Sequence, residues 1–425
     1  MSTAPSTASG RLSRVQNWRR RGLVIGLSFL IVFAVSLLAA EIAARAIVWA
    51  WRIPTQFEAK PFQQFGQTDP RLWWKLQPNL DTEMLGVKLR TNHRGFRDDR
   101  EDLAPGTFRV YCLGDSSTFG WRVTRSEMFT SVAERSLRAA AGRSVGLVSA
   151  GVPGYTSYQC RQQFRELIAP LRPDVVVVLA SNNECRARNL GDRERGRLLA
   201  RKEALHHWLG FSRTWLLISR APDALSRTWD LKPNPGRVAN TPAEYRENLR
   251  ELIHDARAIN CQIVVMNMPL RLRFKPIWKH YDRPNPEVAS LLRRAEEAAL
   301  QGAPDPARRA LLEEAVRVQP VQFAAHWMLA ELELATGRSA EAERQFVLAR
   351  EGDLHPDATK PSYNQTLAEL CALEKVRFID LDRLFRESTE GSETLFMDHC
   401  HPSPSGHLLI GRALARVLSE FVPAR

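Results

Sequence analysis

Ser116 follows an apolar stretch, Phe108–Gly114, and an aspartate, Asp115, so its hydroxyl would leave the chain at a strand-to-helix turn. Acyl transfer by a hydroxyl needs a nucleophile lifted out of such a turn, a base to take its proton, a carboxylate to orient the base, and donors for the oxyanion. Asp398 and His401 lie three apart near the other end of the chain. In one loop that spacing lets the carboxylate hold one ring nitrogen and leaves the other for Ser116. Gly-Asp-Ser alone is a common turn sequence, so the reading rests on the set. Asp398-His399-Cys400-His401 also contains only metal-ligand types. Adjacent side chains converge poorly on one tetrahedral ion, and no second Cys/His pair with two to four residues between exists elsewhere in the sequence, so neither a metal nor any other cofactor is expected. His407, at a helix start after Gly406, reads as packing or capping, and His206 and His207 as surface residues.

These residues need a scaffold that delivers them to one edge. FRVYCLG (108–114), SVGLVSAG (144–151), PDVVVVLAS (173–181) and CQIVVMNMP (261–269) are apolar strands, and Val376–Asp380 is a last one. Helices fall between them over Phe129–Ala141 and Tyr158–Ile168. A third opens at Thr241-Pro242-Ala243-Glu244, where Thr caps, Pro takes the first helical position and Glu closes the capping box. A closing helix runs from Ser405 to Phe421. Unbroken apolar strands alternating with helices predict a parallel sheet covered on both faces, with its ligand site beyond the carboxyl ends of the strands. Those ends carry Asp115-Ser116, Gly151–Thr156 and Asn182-Asn183-Glu184.

Two segments depart from this alternation. Residues 186–236 are basic and helical, an insertion containing HHWLGF and TWLLIS. Residues 287–350 are helical with no strand between; Leu312 and Phe346, like Ala315 and Ala349, are 34 apart, a period that resembles the tetratricopeptide repeat. An ordinary helical hairpin packed on the domain is the alternative. Ahead of the sheet, residues 53–105 read as a juxtamembrane module, with a strand at Val87–Arg90 and a turn at Asn92–Gly95.

The N-terminus is of another kind. Gly22–Ala40 is 19 residues without a charge, about 28 Å as a helix against about 30 Å of bilayer hydrocarbon. Arg11, Arg14, Arg19, Arg20 and Arg21 precede it, and with Arg45 and Arg52 they outweigh Glu41. The positive-inside rule then places everything after the helix outside the cytoplasm. Glu41 and Arg45 share a helix face, and Trp49 and Trp51 would mark the far interface. A cleaved signal peptide is the competing reading. The net charge is +13; outside the first 52 residues the basic excess is spread thinly, with no nucleic-acid signature. At roughly 150 residues per domain, 425 residues allow two to three units. The six cysteines are widely spaced; Cys112 and Cys261 read as buried thiols, while Cys185 and Cys400, each flanking a site residue, could pair in an oxidising compartment.

With its blocks in this order, the chain resembles the SGNH (GDSL-type) hydrolases over about residues 106–185, 240–270 and 375–421. The first block stands as Gly114-Asp115-Ser116-Ser117 and the last as Asp398-His399-Cys400-His401-Pro402. The resemblance implies an α/β fold, a three-layer α/β/α parallel sheet of flavodoxin-like kind, with Ser116 as nucleophile, His401 as base and Asp398 as its orienter. It also implies an oxyanion hole of the Ser116 and Gly154 backbone N–H groups and the Asn183 side chain. The third block, usually Gly-X-Asn-Asp, is here Ala180-Ser181-Asn182-Asn183-Glu184, which leaves Asn182 as the alternative donor. Asn92-His93-Arg94-Gly95-Phe96-Arg97 looks like a membrane-anchored bacterial branch of the family.

The expected architecture is a cytoplasmic basic tail (1–21), a transmembrane anchor (22–51), the juxtamembrane module (53–105), a first SGNH part (106–286) interrupted at 186–236, the repeat-like helices (287–350) and a last SGNH part (351–425). The expected function is that of a periplasmic serine esterase or O-acyltransferase, membrane-held by one helix, acting on an acylated carbohydrate or another small acyl ester. The alternative is a catalytically weak SGNH-like scaffold that recruits a protein partner through residues 287–350. The intact Ser116, Asp398 and His401 favour the enzyme, and Asn183-Glu184 in place of Asn-Asp favours the scaffold.

Overall fold

The structure is a computed structural model that describes residues 8–51, 65–69, 71–141, 144–209, 211–215, 217–218, 237–274, 285–302, 305–353, 356 and 358–422. It divides into two compact units, residues 1–59 with 198–232, and residues 60–197 with 233–425.

The first unit is built on one helix, Ala8–Ala50. Its stretch Arg21–Ala50 is long and apolar enough to cross a membrane, with its most apolar 18-residue part unburied, a description that a signal sequence also meets; Ala44 and Val48, near its end, are buried. Trp49 and Trp51 are exposed. Glu41 and Arg45 pair at 3.0 Å across one turn. Parts of the HHWLGF and TWLLIS motifs, with all of 219–236, lie outside the described residues.

The second unit opens with two antiparallel hairpins, β1 (Gly66–Asp69) with β2 (Trp73–Leu76) and β3 (Asp81–Met84) with β4 (Val87–Arg90). Then come β5 (Phe108–Gly114), β6 (Val145–Ser149), β7 (Val175–Leu179), β8 (Gln262–Met266) and β9 (Arg377–Ile379), which form one parallel sheet in the order β6-β5-β7-β8-β9. The order reverses at β5, so the crevice beyond its carboxyl end is the natural ligand position. That strand ends at Gly114, opposite Leu179 of β7.

Alternating side chains sort into two cores. Tyr111, Leu113, Val176, Val178 and Val265 face one side, under the helices Ser157–Gln163, Pro242–Ala258 and Pro361–Glu374. Val110, Cys112, Val177, Val264 and Met266 face the other, under Phe129–Ala141 and Pro404–Leu418. This is the expected three-layer α/β/α arrangement. Strands with both faces covered need no polar alternation, which is why the sequence shows unbroken apolar runs.

Residues 286–352 form four helices, Pro286–Leu300, Asp305–Val318, Phe323–Ala335 and Ser339–Gly352. Their own core holds Leu312, Ala315, Phe346 and Ala349, the residues spaced by 34, together with Leu292 and Trp327. Where the sequence suggests a repeat-like helical insertion or, as the alternative, an ordinary hairpin, the described residues form four helices with a core of their own.

Candidate active site

The turn after β5 carries Ser116. Asp115 caps the short helix Ser116–Phe119, its Oδ1 accepting the Ser117 N–H at 2.8 Å, and Gly120 ends it in the left-handed region at φ 79°. A Cβ on Gly114 would stand 2.1 Å from the Leu179 carbonyl oxygen, so only glycine lets the strand enter this turn beside β7. Arg97, buried, pins the turn from outside. Its guanidinium donates to the carbonyls of Phe119 (2.8 Å), Gly120 (2.5 Å) and Val123 (2.7 Å) and lies over the Phe119 ring. Burial above all, with Arg125 nearby, pulls its pKa down to about 10.

Asp398 and His401 occupy the loop between the short helix Ser392–Leu395 and the closing helix Pro404–Leu418. His401 Nε2 is 2.8 Å from Ser116 Oγ, and Nδ1 is 2.8 and 3.0 Å from the Asp398 oxygens. Asp398 Oδ1 also accepts the backbone N–H groups of Cys400 (3.0 Å) and His401 (2.9 Å). Burial works against the Asp398 charge, yet the His401 hydrogen bond and those two donors prevail and hold the carboxyl well below the usual range. A neighbouring arginine fixes the loop's backbone: Arg271 Nη1 donates to the Asp398 carbonyl at 2.9 Å while its Nη2 pairs with Glu393. Arg350, from the helix Ser339–Gly352, donates to the Arg271 (3.1 Å) and Phe274 (2.5 Å) carbonyls.

The proposed oxyanion donors come from two further strand ends. Gly154 has φ 84°, and a Cβ there would press on Trp74 at 3.2 Å. Trp74 of β2 props this loop, its Nε1 donating to the Pro153 carbonyl at 3.1 Å and its own carbonyl accepting the Tyr155 hydroxyl at 2.6 Å. Asn183 Nδ2 donates to the Tyr155 carbonyl at 2.9 Å, so Asn183 lies against the Gly154 loop. Asn182 is turned elsewhere. Its N–H reaches Asp115 (3.3 Å), Nδ2 reaches Ser117 Oγ (3.3 Å), and Oδ1 accepts the Thr359 N–H (3.2 Å). Glu184, fully buried, accepts the Ser157 N–H at 2.5 Å and Asn240 Nδ2 at 2.7 Å, and the same Nδ2 donates to Asp192 at 2.9 Å. Burial, foremost, pushes both carboxyls up. This acid therefore anchors the loop from beneath.

The sequence reading missed Trp121, whose ring stacks on His401 with centroids 5.6 Å apart. Its only signal is position, just past Gly120 in the turn that carries Ser116. It also missed Arg271, which no motif marks. All six cysteines are buried thiols, so the pairing of Cys185 with Cys400 is not realised. Cys185 Sγ donates to the Ala358 carbonyl at 3.1 Å, and Cys400 Sγ lies 3.6 Å from His401 Nδ1. Asp398, Cys400 and His401 do gather potential metal donors within 4.8 Å of one another, but the His401 nitrogens are engaged by Asp398 and Ser116. His407 is fully buried; its Nδ1 accepts the Phe129 N–H at 3.2 Å and its ring stacks on Phe129. The side chains of His206 and His207 lie outside the description.

A hydroxyl, an imidazole and a carboxylate in hydrogen-bonded sequence at the carboxyl edge of a parallel α/β sheet are the parts of a serine esterase. Residues 112–317 match the GDSL-like Lipase/Acylhydrolase family, so this stretch carries a GDSL-like lipase/acylhydrolase domain. That match includes Ser116, Gly154, Asn182 and Asn183. No curated protein matches the chain. Among solved structures it is similar to a catalytic mutant of an acetylxylan esterase from Geobacillus stearothermophilus, at 15% identity, covering 75% of this chain and 99% of that one, TM-score 0.37. It is also similar to a lipase/acylhydrolase from Enterococcus faecalis, at 16% identity, covering 75% and 98%, TM-score 0.37.

Proposed function

We propose that the protein cleaves or transfers an acyl ester through Ser116, His401 and Asp398, on the extracytoplasmic side of a membrane to which its first helix holds it. The observation that carries the catalytic part is the 2.8 Å approach of His401 Nε2 to Ser116 Oγ, with Nδ1 engaged by Asp398 at 2.8 Å.

In this mechanism His401 takes the Ser116 proton at Nε2 as Oγ attacks the ester carbonyl. Asp398 accepts the Nδ1–H bond and stabilises the imidazolium that forms. The carbonyl oxygen, now an anion, is met by the N–H groups of Ser116 and Gly154 and by Asn183 Nδ2, which exchanges the Tyr155 carbonyl for the stronger bond to charge. His401 then protonates the leaving alcohol as its bond to the acyl carbon breaks. Water, or a second alcohol, repeats these steps on the acyl-enzyme and restores Ser116. The residues are common to hydrolysis and transfer; which of the two occurs depends on the acceptor that enters. An O-acylated carbohydrate is the substrate proposed, on the resemblance to the membrane-anchored branch, and residues 287–350 are proposed to recruit a protein partner.

Turnover of p-nitrophenyl acetate by the purified chain tests the esterase: wild type releases the phenol and Ser116→Ala, folded by circular dichroism, does not. Equal rates for the two proteins would refute it. The arginine excess before Gly22 supports the topology. A C-terminal tag on the membrane fraction should be digested by protease added to spheroplasts; a protected tag would place the domain inside.

A further inference from the structure

The apolar helix ends in a clasp. Glu41 directly follows the uncharged run Gly22–Ala40, and its carboxylate accepts Ser212 Oγ at 2.7 Å, the Arg213 N–H at 2.9 Å and the Thr214 N–H at 3.1 Å. Arg45, paired with Glu41, sends Nη2 to the Phe211 carbonyl at 3.3 Å. All these residues belong to the first unit. Residues 211–214 are therefore fixed at the height on the helix where the apolar run stops. Where Gly22–Ala40, about 28 Å as a helix, fills the hydrocarbon, that height is its boundary with the headgroups, and Trp49 and Trp51 stand farther out. A carboxylate there is costly unless it is paired and hydrogen-bonded, and the clasp supplies both.

The segment that the clasp holds carries exposed apolar side chains. Leu198, Leu205 and Leu209 of the helix Asp192–Leu209 fall within about 40° of one another at 100° per residue, and all three are exposed. Trp208 is 77%, Phe211 75% and Ile218 59% exposed. Tryptophan and phenylalanine at the headgroup level gain from burying an apolar ring beside a polar layer, whereas in water the same surface is an association liability. Exposed Arg201 lies on the same helix, in the same unit, and offers charge to anionic headgroups.

From this we infer that residues 198–218 are a second membrane-contacting element, lying in the interfacial layer of the bilayer that the apolar helix crosses, with Trp208, Phe211 and Ile218 in the acyl boundary and Glu41 as the latch that sets their depth. The inference rests on the reading of Gly22–Ala40 as a membrane-crossing helix. It gives the chain two contacts with one surface, so that the segment is held in the plane and not left to swing about a single anchor.

The full-length chain, reconstituted in phosphatidylcholine–phosphatidylglycerol vesicles containing a phosphatidylcholine with a diazirine on its acyl chain, tests this by photolabelling and peptide mapping. Label is expected in peptides from both 22–40 and 198–218. Replacing Trp208 and Phe211 together by Glu should cut labelling of 198–218 at least fivefold and leave 22–40 unchanged. Label confined to 22–40 in the wild type would overturn the inference while leaving the anchor standing. Absence of label from 22–40 would overturn the anchor reading, and the inference with it. Glu41→Ala, which removes only the latch, should weaken labelling of 198–218 without changing that of 22–40; unchanged labelling in both would show that Glu41 does not set the depth.

Discussion

Trp121 lies against the His401 imidazole, ring planes 21° from parallel and centroids 5.6 Å apart, on the ring that also reaches Ser116 and Asp398. A stacked indole limits rotation of the imidazole about its side-chain bonds. Such contacts are worth about 1 kcal/mol, roughly fivefold in rate. Trp121→Leu should therefore lower kcat about fivefold with little change in KM, and Trp121→Phe should recover most of the loss. Steady-state kinetics on an acetyl ester, with thermal unfolding as a control, will show it; a Leu variant at wild-type kcat contradicts the role.

The two asparagines of the third strand end should separate by phenotype. Asn183 lies against the Gly154 loop, whereas Asn182 makes three hydrogen bonds that tie the Ser116 turn to Thr359. Asn183→Ala is expected to cost about 10² to 10³ in kcat, the usual loss for one oxyanion donor. Asn182→Ala is expected to cost about 1–3 kcal/mol of stability through the buried partners it leaves unpaired, and less rate. A larger rate loss for Asn182→Ala would move the oxyanion donor by one residue.

Acid stability should depend on His407. Burial first, then the charges of Arg97 and His401, lower its pKa to about 3 from 6.5. Between these values the unfolded chain binds a proton that the folded chain refuses, so stability falls as pH drops from about 6.5 toward 3, by up to about 1.4 kcal/mol per unit from this group. His407→Asn, which can still accept the Phe129 N–H but does not titrate, should flatten the dependence in that window. Urea unfolding at pH 7, 5.5 and 4.5 is the measurement; parallel wild-type and variant curves would remove His407 from the account.

Arg271 should act on the rate without touching substrate. Through the Asp398 carbonyl and Glu393 it holds both ends of the segment that delivers His401. Arg271→Ala is expected to lower kcat at least tenfold, a loss on the scale of a misplaced catalytic group, with KM nearly unchanged. Arg271→Lys, which keeps the charge but not the fork that serves two acceptors, should recover only part of it. An Ala variant with unaltered kcat would reduce Arg271 to a structural role.

The sheet was legible because strands covered on both faces must be apolar throughout, as Val175–Leu179 is, and because Thr241, Pro242 and Glu244 mark a helix start through hydrogen bonds local to the sequence. Ser116 was legible as a candidate by its type at a strand end, and Asp398 and His401 by their spacing ahead of the closing helix. Trp121 and Arg271 were not, since a tryptophan in a loop and an arginine after a strand acquire meaning only when a residue far along the chain folds back onto them. The lengths of period 34 told which residues of 287–350 would be buried, as Leu312, Ala315, Phe346 and Ala349 are, but not how many helices would share that core. Cysteine chemistry was equally silent: whether Cys185 meets Cys400 depends on loop placement, and Cys185 turns to Ala358.

The central claim is that Ser116 is an activated nucleophile. Incubation of the full-length protein with a fluorophosphonate probe, followed by peptide mass mapping, reads this without knowledge of the substrate. The expected adduct is on Ser116 alone, absent in Ser116→Ala and slowed by about 10⁴ in Asp398→Asn, where the imidazole loses its orienting carboxylate. An adduct on Ser117, or a wild-type protein that remains unlabelled while folded, would contradict the account.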